Sequence, residues 1–244
     1  MTIILGYTSP SQRTSFLGAD DREGISEARH DKIRFPFDRF LIAGVGNNTV
    51  FLTADVIGEL NHDAIQFSNG THYKLPSSIE EYCQAVIEAL PVVADNLYKG
   101  YHKAVRNGTY SDSQFSMLKT QPNILLIIDT KNFRVVTAHF STVFPPQPTY
   151  SYEVRELPSE RALRLGIDKP TILSTLTPHI LQHPMKWCKE QLDVARAVMV
   201  GAGLKAEALG HLGAAYLVRH NKIIRRTTFT SIADFAQRYY PAQK

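Results

Sequence analysis

Two strand-like pairings come before any helical pattern in this chain, and that order limits the folds open to it. Residues 2–7 and 15–19 are apolar, β-prone runs joined by the polar turn Ser9-Pro10-Ser11-Gln12-Arg13, which predicts a hairpin. Residues 32–35 and 39–43 predict a second pair of strands around Pro36-Phe37-Asp38. Only then does Asn48 offer an N-cap for a helix with Val50, Phe51, Ala54, Ile57 and Leu60 at helical spacing. Gly44 and Gly46 follow a strand, but Thr49 stands where the third glycine of a dinucleotide fingerprint belongs and the preceding elements are hairpins. Nucleotide binding by a βαβ unit is therefore discarded.

Further along, Ser68-Asn69-Gly70 predicts a turn closing a small hairpin over 64–67 and 71–75. Ser78 and Glu81 form a capping box ahead of a long helix through Tyr82, Val86, Leu90 and Leu97, with a kink expected at Pro91. Residues 123–129 and 133–140 predict an apolar hairpin whose first arm is apolar on both faces, as in a strand lying between two layers. The proline-rich stretch 141–160 gives weak element signals apart from a short strand at 150–154. A helical block over 171–206, broken by Pro178 and Pro184, precedes a strand at 214–218 and a capped amphipathic helix at 231–240. No repeat or linker divides the sequence, so one domain over residues 1–244 is expected, with a short C-terminal helical extension over 231–244. The element order suggests an α+β protein with two antiparallel sheets packed together and helices outside.

Charge and cysteine usage exclude several function classes. Lys and Arg number 27 against 23 Asp and Glu, and the +4 balance is scattered apart from Arg219-His220-Asn221-Lys222 and Arg225-Arg226, so no nucleic-acid partner is expected. Cys83 and Cys188 lie far apart in helical stretches and read as buried thiols of a reducing compartment. Apolar runs such as Ile124-Leu125-Leu126-Ile127-Ile128 fall far short of the ~20 residues a membrane span needs. The amino terminus lacks the basic and apolar regions of a secretory signal, so no membrane contact and a cytoplasmic location are expected. His179 and His183 are four apart, but prolines bracket them and no Glu follows His179 as a zincin requires. No metal and no cofactor are expected.

What remains points to the amino terminus. Removal of Met1 would leave Thr2 with both a hydroxyl nucleophile and a free α-amine, whose reference pKa of about 7.7–8.0 suits it to take the hydroxyl proton at neutral pH. Asp20 ends the second strand of the same hairpin and Lys32 starts the next strand. A lysine beside the hydroxyl lowers the cost of forming alkoxide and keeps the amine less protonated, while an aspartate holds that lysine charged and aimed. Gly44 lies at a glycine-rich strand-to-helix turn, whose backbone amides suit an oxyanion.

Thr2-Ile3-Ile4, Gly18-Ala19-Asp20-Asp21-Arg22, Asp31-Lys32-Ile33 and Leu41-Ile42-Ala43-Gly44-Val45-Gly46, taken in that order, resemble the proteasome β-subunit family and its bacterial heat-shock-locus peptidase relatives. The resemblance implies the four-layer αββα sandwich of the N-terminal-nucleophile hydrolases. It also implies threonine-type endopeptidase activity, with Thr2 as nucleophile, Asp20 and Lys32 in support and Gly44 as oxyanion donor. A homo-oligomeric ring acting on peptide or unfolded polypeptide follows from it, and an ATP-dependent unfoldase is an unidentified possible partner. In active members a serine in a Gly-Ser-Gly-like turn and a later aspartate hold the terminal amine. This chain offers Leu165-Gly166-Ile167-Asp168 and Lys205, Glu207, His211 and Gly213 in those regions, with Asp168, Ser174 and Glu207 as candidate substitutes. That departure leaves two alternatives open: a non-catalytic ring subunit, or an amidase acting on a small amide.

Overall fold

The computed structural model describes residues 2–20, 32–46, 48–60, 75–108, 123–143, 149–166, 170–203 and 212–227. Among them are eleven strands: β1 (Ile4–Ser9), β2 (Thr14–Asp20), β3 (Ile33–Arg34), β4 (Phe40–Gly46), β5 (Asn123–Asp129), β6 (Arg134–Val143), β7 (Thr149–Leu157), β8 (Arg161–Leu165), β9 (Pro170–Thr175), β10 (Leu212–Arg219) and β11 (Lys222–Thr227). Four α-helices accompany them: α1 (Asn48–Leu60), α2 (Ile79–Arg106), α3 (Pro178–Gln182) and α4 (Pro184–Gly201). The strands form a six-stranded sheet in the order β11-β10-β2-β1-β8-β9 and a five-stranded sheet in the order β3-β4-β5-β6-β7.

The expected four-layer αββα sandwich is thereby corrected, because the described chain is mostly antiparallel sheet with few helices. Its contacts divide it into two compact units, one of Met1–Arg34, Thr130–Phe133 and Pro158–Lys244, the other of Phe35–Asp129 and Arg134–Leu157. β8, β9 and β11 are strands that the sequence reading does not anticipate, and β7 is longer than expected. Residues 141–160, where a short strand at 150–154 is expected, carry the longer β7, which pairs with β6 from Val135↔Leu157 to Val143↔Thr149. The predicted helical block opens instead with β9, where Thr171, Ile172 and Thr175 bring β-branched side chains that favour a pleated backbone. The predicted hairpin at 64–75, most of its residues, and the helix at 231–240 lie outside the described residues.

In the first unit, the β1–β2 hairpin runs in register from Ile4↔Ala19 to Ser9↔Thr14. Its turn is closed by Arg13, which takes a positive φ of 47° and donates its amide to the Pro10 carbonyl at 3.1 Å. Glu160 locks the same turn from the β7–β8 connection, accepting from Ser9 Oγ at 2.9 Å and from the Ser11 amide at 3.0 Å. Burial alone would raise the Glu160 carboxyl, and these hydrogen bonds outweigh it and hold it below the usual glutamate range. Alternate residues of the hairpin, Ile3, Leu5, Tyr7 and Phe16, meet Trp187, Cys188 and Leu192 of α4 in one buried cluster. Tyr7 stacks on Phe16 with ring centroids 5.6 Å apart, and Trp187 meets both rings edge-on.

The second unit is built on the meander β4–β5–β6–β7. Ser78 caps α2 by accepting from the Glu81 amide at 3.1 Å, while the Glu81 carboxylate accepts from the Ser77 amide and hydroxyl. The predicted capping box is thus present at its N-cap, with the reciprocal bond displaced by one residue. The helix continues through Pro91 as one element. Tyr82 stacks on Phe40 at 5.2 Å and donates its hydroxyl to the Ala54 carbonyl at 2.9 Å, tying α2 to both α1 and β4. At the end of β5, the buried Asp129 accepts from Arg39 Nε at 3.1 Å and from Nη2 at 2.7 Å.

Candidate active site

Hairpin register brings three of the four sequence-predicted residues together. Thr2 immediately precedes β1, Asp20 is the last residue of β2, and Lys32 immediately precedes β3. Because Ile4 pairs with Ala19, the next position places Asp20 beside Ile3, and the Asp20 amide donates to the Ile3 carbonyl at 3.2 Å. The Asp20 carboxylate is fully buried, and each oxygen has its own donor. Oδ1 accepts from the Ile3 amide at 2.8 Å, and Oδ2 from Lys32 Nζ at 3.0 Å. Lys32 Nζ also donates to Thr2 Oγ1 at 3.2 Å.

A buried ion pair is tolerated only where hydrogen bonds satisfy its remaining valences, and both members of this pair have them. The consequence is positional as well as electrostatic. The carboxylate is fixed through the backbone of Ile3, one residue from Thr2, so the ammonium it holds is referenced to the strand that Thr2 leads into. A cation donating to a hydroxyl oxygen stabilises charge that develops there as the proton leaves.

Gly44 belongs to the other unit, in β4 opposite Leu125. A Cβ there would come within 3.0 Å of Phe51 Cβ and 3.2 Å of Leu125 Cδ2, so within its unit this glycine permits close packing of α1 on the strand. Of the candidate substitutes for the amine-holding residues, Asp168 and Glu207 lie outside the described residues. Ser174 is exposed in β9 opposite Ala162, whereas Ile4 faces Leu165 at the opposite end of β8. The sheet therefore does not bring Ser174 to Thr2.

Two features of the site escaped the sequence. One is the Ile3 amide as a ligand of Asp20, a consequence of register that no side-chain motif announces. The other is Cys188 of α4, fully buried, whose thiol is pushed well above its ordinary value by burial and then by the neighbouring Asp20 charge. The only sequence signal was Gly18, two residues before Asp20 and hence on the same face of β2. His179 contacts Glu190 at 3.3 Å and the His183 ring at 5.8 Å, yet among the described residues no group of three His, Cys, Asp or Glu side chains is placed to hold a metal ion. None of the helices searched, which cover the described residues, is long and apolar enough to cross a membrane.

The fold is shared with solved structures of Anbu. Anbu (ancestral beta-subunit) from Yersinia bercovieri superposes with a TM-score of 0.53 at 15% identity, covering 98% of this chain and 92% of that one. Anbu from Hyphomicrobium sp. strain MC1 gives 0.51 at 12% identity over 97% and 91%, and a mutant of it gives 0.51 at 11% over 96% and 91%. The Anbu proteins are proteasome-like but distinct, which corrects the resemblance to proteasome β-subunits and heat-shock-locus peptidases. At this level of identity the likeness establishes the fold alone. No protein-family model matches the chain, and no curated protein matches it.

Proposed function

We propose that this chain is a threonine-type hydrolase of peptide bonds, with Thr2 as nucleophile once Met1 is removed. The supporting observation is the bond pair at Lys32 Nζ, which joins the Thr2 hydroxyl to the buried Asp20 carboxylate. In the proposed reaction Thr2 Oγ1 attacks the scissile carbonyl carbon while its proton passes to the Thr2 α-amine. The tetrahedral intermediate collapses with breakage of the C–N bond, and the amine returns that proton to the departing nitrogen. Water, deprotonated by the same amine, then attacks the ester carbonyl; the C–Oγ1 bond breaks, Thr2 Oγ1 takes the proton back from the amine, and the acid is released. Lys32 stabilises the developing alkoxide, Asp20 keeps Lys32 charged and in place, and the Gly44 amide is given the oxyanion by the sequence resemblance alone. The likeness in fold to Anbu, an ancestral beta-subunit, supports a proteasome-like homo-oligomeric assembly acting on polypeptide, and the buried thiols Cys83 and Cys188 suit a reducing, cytoplasmic setting.

The test is hydrolysis of a peptidyl aminomethylcoumarin by the parent chain and by Thr2→Ala. The proposal expects the variant to fall to background while keeping the parent's circular dichroism and assembly. Equal turnover by the two proteins would remove Thr2 from the chemistry.

A further inference from the structure

We infer that Cys188 is a positioning residue for the array of Thr2, Asp20 and Lys32, acting through its contact with Gly18 of β2. The inference rests on the proposed threonine chemistry and adds to it a residue from a helix remote in sequence. Phe16, Gly18 and Asp20 alternate along β2 and so share one face, and Phe16 lies in the buried cluster with Trp187 and Cys188, so this is the face that α4 covers. At Gly18 the fit is close enough that a Cβ would lie 2.6 Å from Cys188 Sγ. Within the sheet β2 is fixed on both sides at this point, Gly18 pairing with Leu5 of β1 and with Ala215 of β10. The remaining freedom is movement out of the sheet, toward or away from α4, and at Gly18 the contact with Cys188 limits how close the two can come.

A second observation explains why the distance matters at Asp20. The β10–β2 ladder is regular from Arg219↔Thr14 to Ala214↔Ala19 and then shifts, so that Leu212 and not Gly213 pairs with Asp20. A bulge breaks the regular pairing and bends its strand, and here it falls beside the Asp20 carboxylate. The end of β2 thus lacks a regular ladder on its β10 side where Asp20 must be held, and the packing of α4 two residues earlier supplies the constraint. The Lys32 Nζ to Thr2 Oγ1 separation of 3.2 Å already sits at the long end of the hydrogen-bond range, so a shift of a few tenths of an ångström transmitted through Asp20 would break it.

The test compares Gly18→Ala, Cys188→Ala and the double variant with the parent, reading kcat, KM and pH profile on a peptidyl aminomethylcoumarin, with thermal midpoints alongside. Gly18→Ala forces a methyl against Sγ and should lower kcat by about tenfold to a hundredfold, as misplacement of catalytic groups does, with KM within about twofold. Withdrawal of Lys32 from Thr2 also relieves its repulsion of the terminal amine, so the acid limb of the kcat profile should move to higher pH. Cys188→Ala in the same chain removes the obstructing sulfur and should recover most of the rate and return the acid limb. Cys188→Met, which adds bulk from the helix side and leaves β2 unaltered, should reproduce the signature and carries the test if Gly18→Ala does not fold. A double variant no more active than Gly18→Ala, or losses that follow thermal stability with no change in pH profile, would overturn the role of Cys188. Thr2→Ala runs beside these variants: if it hydrolyses the substrate like the parent, the threonine mechanism itself is overturned, and the positioning role falls with it.

Discussion

At the residue scale, Lys32 Nζ joins the Thr2 hydroxyl to the Asp20 carboxylate, so the three side chains are expected to act as one unit. Lys32→Ala removes the Nζ donor to Thr2 Oγ1 and is expected to cost nearly as much kcat as Thr2→Ala, since members of such a unit are not additive. The two variants should differ in stability. Thr2 is half-buried at a strand entrance and its loss should be almost neutral, whereas Lys32→Ala removes the ammonium from the fully buried Asp20 carboxylate and should destabilise the fold by about 3–5 kcal/mol. Thermal denaturation of both proteins checks this, and equal midpoints would mean the pair is not the buried bridge described. Of this site, the trio was legible in the sequence because its logic is local. Thr2 and Asp20 sit across one hairpin, and Lys32 opens the strand that follows. The Cys188 contact was not legible, because what matters at Gly18 is the residue that occupies the missing Cβ, and that residue arrives from a helix late in the chain.

At the element scale, two ionic links make separate predictions. Arg134 joins α2 to the β6–β7 pair, donating to Glu80 at 2.8 Å and to Glu156. The Arg134 hydrogen bond holds the Glu80 carboxyl down to about 2 from its ordinary 4.5. A depressed folded value means that the link contributes in full above pH 4.5 and is lost as the pH falls toward 2. Thermal midpoints of the parent should therefore decline across that window more steeply than those of Glu80→Gln, and parallel curves would show that Glu80 contributes nothing. The effect should be modest, since the Glu80 side chain is about half exposed. The Arg39–Asp129 link is different in kind. Its carboxylate is fully buried and doubly bonded at the end of the β4–β5 ladder, so Arg39→Ala should cost about 3–5 kcal/mol in urea unfolding.

The elements themselves were unevenly readable for a physical reason. β5 announces itself as an uninterrupted apolar run because it is buried throughout, and the α2 N-terminus is marked by Ser78 and its cap. β7, β9 and β11 are sheet-edge strands, half or wholly exposed, and a strand with little apolar face to hide leaves little pattern in its residues. β11 in particular reads as a basic cluster, since Lys222, Arg225 and Arg226 all lie on its exposed surface.

At the scale of the whole molecule, assembly is expected. α4 leaves Val194 and Val198 exposed one turn apart, and β11 leaves Ile223 and Ile224 exposed at a sheet edge, surfaces that a lone subunit would keep in water. Light scattering should return a multiple of the 27.4 kDa subunit, and a strict monomer at micromolar concentration would contradict a ring. The sequence anticipated antiparallel sheets with helices and overstated the helices, because prolines at 178 and 184 were read as breaks in one long helical block when the first of them follows a strand. It also led toward proteasome β-subunits, while the fold is matched by Anbu. The central claim, that Thr2 is a free and activated terminal nucleophile, is tested most directly by the intact mass of the native chain before and after treatment with a peptidyl β-lactone. The account predicts a starting mass without Met1 and a single acyl adduct that maps to Thr2 and is absent in Thr2→Ala. A chain that retains Met1, or that takes up the acyl group elsewhere, would contradict it.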